Sequence, residues 1–214
     1  MRLDEKIVEI FKQGYVCDNC CGRMCGNLLS GMTNKERGRI LRHYLAFLLD
    51  SGEKLDVDLS NFYGIKFRNL KLEIKKPEKC KICKNFFPEE LNEFAQKIVK
   101  KLKCIEFDTF LIGSVLSDEL AKEEEKIWSI IGIEHVESLK SEINRELGKI
   151  VEKLTKKTFD LKNSDVTIVV DLETNNIKIQ IRSLYVFGRY QKLVRGVPQT
   201  KWICSRCQGK GCTF

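Results

Sequence analysis

Val166-Thr167-Ile168-Val169-Val170-Asp171 and Ile177-Lys178-Ile179-Gln180-Ile181 stand on either side of Thr174-Asn175-Asn176. Both runs are rich in β-branched residues and a turn-forming triplet separates them, so the stretch predicts a β-hairpin. Toward the N-terminus, Leu139, Ile143, Leu147, Ile150, Val151 and Leu154 recur at helical spacing, with Lys140 and Arg145 off that stripe. Ser117 caps an acidic first turn, Asp118-Glu119, and the helix it opens runs to about Ile131 before Gly132. Phe107-Asp108-Thr109-Phe110-Leu111-Ile112-Gly113-Ser114 is short, apolar and β-rich, which predicts a buried strand. Leu91, Phe94, Ala95, Ile98, Val99 and Leu102 keep a helical face behind Pro88. Ser183 to Phe187 predicts one more strand after the hairpin. The order helix, strand, helix, helix, strand, strand, strand implies an α+β domain from about residue 88 to about residue 190.

Further out, Leu3, Ile7, Ile10 and Phe11 form a helical stripe that stops at Gly14. Thr33 and Glu36 make a capping box, after which Ile40, Leu41, Tyr44, Leu45 and Leu48 are expected to trace the buried face of a helix ending at Gly52. Residues 55 to 76 alternate loosely and predict short strands or irregular structure. Pro77, Cys80, Cys83 and Pro88 interrupt both periodicities, which places a boundary near residues 76 to 88. The expected organisation is therefore a helical metal-binding module over 1–87, an α+β domain over 88–190 and a basic tail over 191–214.

Charge singles out that tail. From Lys178 onward there are eight Lys or Arg and no Asp or Glu, whereas residues 1 to 177 hold thirty of each sign. The net charge of +8 is thus the charge of the terminal segment. A single-sign run interleaved with aromatics suits a polyphosphate with exposed bases: cations neutralise phosphates and aromatic faces stack on unpaired bases. Arg189, Lys192, Arg195 and Lys201 are the candidate phosphate contacts, Tyr190 and Trp202 the candidate stacking faces, and Lys140 and Arg145 secondary candidates. No apolar stretch approaches the roughly 20 residues that cross a bilayer, and the N-terminus lacks the layout of a signal peptide. The expectation is a cytoplasmic protein with no membrane partner.

Ten cysteines without an export signal point to metal thiolates rather than disulfides. Cys17-Asp18-Asn19-Cys20 and Cys80-Lys81-Ile82-Cys83 are two CxxC pairs, and two such turns complete a tetrahedral site with Zn–S near ~2.3 Å. Four protein ligands leave no position for water, so the zinc is expected to be structural. Cys21 and Cys25 crowd the first pair and offer an alternative choice of ligands. Cys104 stands alone and is expected to be a small apolar residue. His43 and His135 are expected on helical segments in structural roles. Cys204-Ser205-Arg206-Cys207-Gln208-Gly209-Lys210-Gly211-Cys212 has the layout of a partial zinc knuckle, one ligand short as written. The competing class is a redox dithiol or an iron–sulfur site.

The segment GRYQKLVRGVPQTKWICSRCQGKGC, over residues 188–212, resembles the archaeal THUMP-containing tRNA pseudouridine synthases, the Pus-ten family. The runs Cys17–Arg23, Phe107–Ser114 and Glu137–Lys149 resemble it too, in the same order, so the likeness covers nearly the whole chain. The resemblance implies that Cys17, Cys20, Cys80 and Cys83 bind a structural zinc. It also implies that the segment up to about residue 190 holds a THUMP-type RNA-binding domain. The family isomerises uridines in the T arm of tRNA with a catalytic Asp in a separate domain, so no residue here is expected to be catalytic. The implied partners are tRNA and a catalytic domain supplied in cis beyond residue 214 or in trans. The alternative is a stand-alone zinc-dependent RNA-binding protein.

Replacing Arg189, Lys192 and Arg195 together by Ala is expected to weaken tRNA binding. The salt dependence of the affinity should flatten by about 0.9 of slope for each duplex phosphate no longer neutralised, or about 0.7 for each single-stranded one. Filter binding across a salt series measures it, and an unchanged slope would refute the assignment.

Overall fold

A sheet that is buried on one face organises the C-terminal half of the computed structural model, which describes residues 2–183. Its four strands are β1 (Thr109–Val115), β2 (Thr158–Phe159), β3 (Val166–Asp171) and β4 (Asn176–Ile181), in the order β2-β1-β3-β4. β1 runs parallel to β2 and β3, while β3 and β4 form the antiparallel hairpin. Register aligns Phe110 with Val166 and Ile112 with Ile168 across β1 and β3, and Val170 with Ile177 across β3 and β4. All six side chains are buried, so alternate residues make one continuous apolar face. Asp171 closes β3, and its carboxylate accepts hydrogen bonds from the backbone N–H groups of Glu173 and Thr174 at 3.0 Å each. This acid therefore shapes the hairpin turn.

Among the described residues six α-helices accompany the sheet: α1 (Leu3–Lys12), α2 (Asp18–Arg23), α3 (Asn34–Asp50), α4 (Leu91–Leu102), α5 (Asp118–Ile131) and α6 (Leu139–Thr155). α4 buries Phe94, Ala95, Ile98 and Leu102, and α6 buries Leu139, Ile143, Leu147 and Val151. These two stripes meet, and α6 also packs on β1. Leu154, expected on that stripe, is exposed. It lies one residue before Thr155, where α6 ends. Ser117 and Ser138 cap α5 and α6 through their side-chain oxygens. α2, the two-residue β2 and the π-helical turn Phe86–Glu90 that leads into α4 were not expected from the sequence. The strand expected over 183–187 extends beyond the described residues. One apolar core cluster runs from Ile7 to Ile177, and the residues up to Arg182 form one compact unit. Among the described residues no helix is long and apolar enough to cross a membrane.

Three local expectations are corrected. Cys104, expected to behave as a small apolar residue, is exposed just past the end of α4. His135 lies in a turn with φ of +64°, outside any helix. The third concerns α3, whose Thr33–Glu36 capping box forms as expected but whose buried face is not the most apolar one. Asn34, Arg37, Gly38, Arg42, Leu45, Ala46 and Leu49 point inward, whereas Ile40, Tyr44 and Phe47 are 55%, 43% and 74% exposed beside a shallow cavity of about 750 Å³.

The reason is a close crossing of α2 and α3. A Cβ on Gly22 would lie 1.8 Å from the Asn34 carbonyl oxygen, and one on Gly38 would lie 1.9 Å from that of Asp18. Only glycine lets these backbones touch. Rotation of α3 is set by that contact and by Arg42. The Arg42 guanidinium donates to Asp18 Oδ1 (2.8 Å), the Asn61 carbonyl (2.5 Å) and the Val16 carbonyl (2.5 Å), and lies over the ring of Phe11.

Gly38→Ala decides between two opposed effects. Helix propensity alone would make Ala better by about 1 kcal/mol. The clash with an immobile carbonyl costs about 1–3 kcal/mol or more. The variant is expected to be less stable in a urea titration; equal or greater stability would mean that the crossing is loose.

Candidate metal centre and its buried ionic neighbour

Two chain segments distant in sequence are pinned together before any sulfur is considered. The Tyr15 carbonyl accepts from Lys81 N–H at 2.8 Å, and Asn61 Oδ1 accepts from Val16 N–H at 2.9 Å. With the Val16 carbonyl held by Arg42, the backbone just before Cys17 has few remaining freedoms. Cys17 is the residue preceding α2 and Cys20 follows one turn later, so both sulfurs leave the same side of the helix. Cys80 and Cys83 flank a tight turn ended by Lys84 and Asn85, both in the left-handed region. Asn85 Oδ1 accepts from Cys80 N–H at 2.8 Å and ties that turn internally.

The result is a group of four. Ligand atoms of Cys17, Cys20, Cys80 and Cys83 all lie within 4.8 Å of one another, and the Cys17 and Cys83 sulfurs are 3.6 Å apart. A tetrahedral ion with bonds of ~2.3 Å has sulfur–sulfur edges of ~3.8 Å, so the spacing suits one thiolate-bound ion. Cys17 N–H also points at the Cys80 sulfur, 3.3 Å away, in the manner of the outer hydrogen bonds that support metal thiolates. Burial drives the Cys20 thiol well above its ordinary pKa. For Cys80 the same burial is outweighed by hydrogen bonds from the neighbouring thiols and from Cys17 N–H, which hold it well below the usual thiol range. Four thiolates cannot share this volume without a cation, because each added negative charge raises the cost of the next. The donor set can hold a metal.

Cys21 and Cys25 stand outside that group. Burial pushes the Cys21 thiol up to about 12, so it behaves as a small apolar side chain. Each of the four grouped cysteines is at most 5% exposed. A disulfide substrate has no access to them, which disfavours the redox reading.

Beside the sulfurs sits a charge network that the motifs did not announce. Arg23, at the end of α2, is fully buried and donates to the Glu124 carboxylate and to the Glu137 carbonyl (3.1 Å). Its Nε lies 3.8 Å from Glu142 Oε2. Burial opposes the charge on Arg23, but the Cys20 sulfur, Glu124 and Glu142 raise its pKa above the ordinary value. Glu142 accepts from Asn19 Nδ2 at 3.0 Å, and Glu124 also accepts from Leu139 N–H at 2.7 Å. α2 is thereby joined to both α5 and α6. A clue existed in the sequence: Glu124 falls at helical spacing between Leu120 and Ile127, and Glu142 between Leu139 and Ile143. A carboxylate on an apolar stripe calls for a buried cation.

Of the candidate nucleic-acid contacts, Lys140 is exposed in the first turn of α6. Arg145 pairs with Glu137 and, at 3.2 Å, with Glu146. Arg189, Tyr190, Lys192, Arg195, Lys201, Trp202, Cys204, Cys207 and Cys212 lie outside the described residues.

Residues 94–171 match the family model of the archaeal Pus10 THUMP domain, a span from α4 to the end of β3. The chain is similar to the tRNA pseudouridine synthase Pus10 of Methanopyrus kandleri, with 38% identity over 97% of this chain and 49% of that protein. The Methanothrix thermoacetophila protein of the same name is 39% identical over 96% of this chain and 46% of its own length. That of Pyrococcus furiosus is 36% identical over 92% and 45%. The chain spans about half the length of the curated relatives it matches. No solved structure matches it significantly.

Burial raises the Glu142 carboxyl to about 7, against the pull of Asn19 and Arg23. A folded-state pKa above the unfolded value near ~4.3 means that the native protein holds the extra proton between those values. Stability should therefore fall as pH rises from about 5 to 8. Urea titrations of wild type and Glu142→Gln at both ends are expected to show wild type losing ground to the variant; parallel pH profiles would place the carboxyl in an ordinary environment.

Proposed function

Because the chain belongs with the archaeal THUMP-containing Pus10 tRNA pseudouridine synthases, we propose that it is the tRNA-gripping portion of such an enzyme. In this reading it positions tRNA so that a uridine of the T arm reaches a catalytic domain supplied in cis beyond residue 214 or in trans. The observation that carries the reading is similarity over nearly the whole chain to proteins named for this activity, centred on a THUMP-domain match at residues 94–171. Chemistry on a base held in a structured loop requires it to leave its stack, at a cost of a few kcal/mol. Contacts remote from the reacting base can supply that energy. A rigid grip on the rest of the tRNA is a contribution this portion can make.

Zinc is the ion we assign to Cys17, Cys20, Cys80 and Cys83. Four buried thiolates at tetrahedral spacing suit it, and full coordination by protein leaves it a structural role. It would lock α2 to the turn before α4, while Arg23 carries that rigidity into α5 and α6. The redox-inert ion and the activity of the relatives fit a cytoplasmic protein.

The test uses these 214 residues as they stand, with a tRNA transcript. Near-stoichiometric zinc in colourless protein is expected, together with retention of the transcript on a filter and no pseudouridine formed. Brown, iron-containing protein would overturn the zinc assignment. Failure to retain tRNA at low salt would overturn the gripping role.

A further inference from the structure

The balance of thirty positive and thirty negative residues over positions 1 to 177 conceals a local excess. Between Lys66 and Lys84 there are eight Lys or Arg against only Glu73 and Glu78, a net charge of +6 within nineteen residues. Lys66, Arg68, Lys71, Lys75, Lys76 and Lys79 are all exposed. Among the described residues none of these six takes part in an ion pair, although Lys12, Lys84, Lys97, Lys149 and Lys157 do.

The backbone explains why the charges face outward together. Residues 65–80 form an irregular strap without helix or strand. Ile65, Phe67, Leu70 and Ile74 pack against the core, and Phe67 meets Phe62 edge-on at 6.1 Å. The Asp50 carboxylate accepts from the N–H groups of Arg68 (3.1 Å) and Asn69 (2.8 Å). Buried Cys80 holds the far end. Each apolar anchor turns the intervening cations toward solvent, so a chain lacking regular structure presents a fixed basic ridge. The thirteen residue-to-residue steps from Lys66 to Lys79 can reach at most about 45 Å.

We propose that this strap is a second phosphate-binding surface for tRNA, placed on the cysteine-bearing half of the molecule and independent of the basic tail. The inference rests on the tRNA-gripping role proposed above. Unpaired, exposed cations of one sign attract a polyanion and release its counterions, which favours nucleic acid over a protein with mixed charge. Anchoring keeps the cost of ordering the strap on binding small. The cysteine centre gains a functional consequence: Cys80 is both a ligand candidate and the strap's terminal anchor, so an ion there also positions Lys75, Lys76 and Lys79. A structural alternative, in which nearby cations merely offset thiolate charge, does not extend to Lys66, Arg68 or Lys71, nine or more residues before Cys80.

The experiment compares the salt dependence of tRNA binding for wild type, for Lys71→Ala/Lys75→Ala/Lys76→Ala and for Arg189→Ala/Lys192→Ala/Arg195→Ala, each with metal content and circular dichroism recorded. The strap variant is expected to keep its metal and fold while its slope of log affinity against log salt falls by about 2 to 3 units. Lysine acetylation of the wild type, read by mass spectrometry, should show Lys71, Lys75 and Lys76 protected by tRNA, which tests the surface without any substitution. An unchanged slope in a folded, metal-loaded variant, or equal acetylation with and without tRNA, overturns the proposal. If wild type binds and only the tail variant loses slope, the strap inference falls alone. If wild type does not bind, the gripping role falls and takes the strap with it.

Discussion

Four thiols meet in one buried volume although their two chain segments are 63 residues apart at Cys17 and Cys80. Holding such a loop closed costs chain entropy on the order of 4 kcal/mol, as for a cross-link of that span. The intervening residues 53–79 are largely irregular apart from the short 3-10 turn Leu59–Phe62, so few backbone hydrogen bonds hold the loop. The sulfur group lets a metal supply the closure in one place. Backbone hydrogen bonds around Tyr15, Val16 and Cys80 prepare the geometry so that little need move when the ion binds. The join ties the start of α2 to the turn that leads into α4.

The second join is ionic. Arg23 sits between the Cys20 sulfur on one side and the carboxylates of Glu124 and Glu142 on the other, where removing either carboxylate would strand a buried charge. Such a cluster is a poor source of net stability, yet it tolerates only one arrangement of α2 against α5 and α6. The Gly22 and Gly38 contact imposes a matching constraint on α3. Charge and close approach therefore fix the placement of the cysteine-bearing helices against the THUMP-matching segment within the apolar core that both share. That matters for a molecule proposed to hold a large folded RNA, because binding energy is useful only if the parts that grip do not yield.

Periodic segments were legible because their burial is one-sided. The hairpin around Asn175, the stripes of α4 and α6 and the caps at Thr33 and Ser117 follow from spacing and local hydrogen bonding, which neighbours in sequence decide. α3 was misread only at Ile40 and Tyr44, for a physical reason: their apolar ranking competes with a glycine crossing and with Arg42, whose partners Asp18, Asn61 and Val16 are remote in sequence. The two CxxC motifs announced a metal site, while the choice among Cys17, Cys20, Cys21 and Cys25 depended on which face of a six-residue helix looks toward Cys80. The basic strap went unnoticed because a charge count over a long window averages its excess against acids elsewhere, α5 among them.

By itself the sequence determined the α+β element order, the helix caps and the two thiol pairs, since each depends on interactions within a few residues. It also carried the family likeness. Only the tertiary structure decided which four cysteines converge, that Arg23 is buried between two carboxylates, and that Lys66 through Lys79 form one outward ridge. Those outcomes depend on how backbones approach across dozens of residues, and no local pattern encodes that distance.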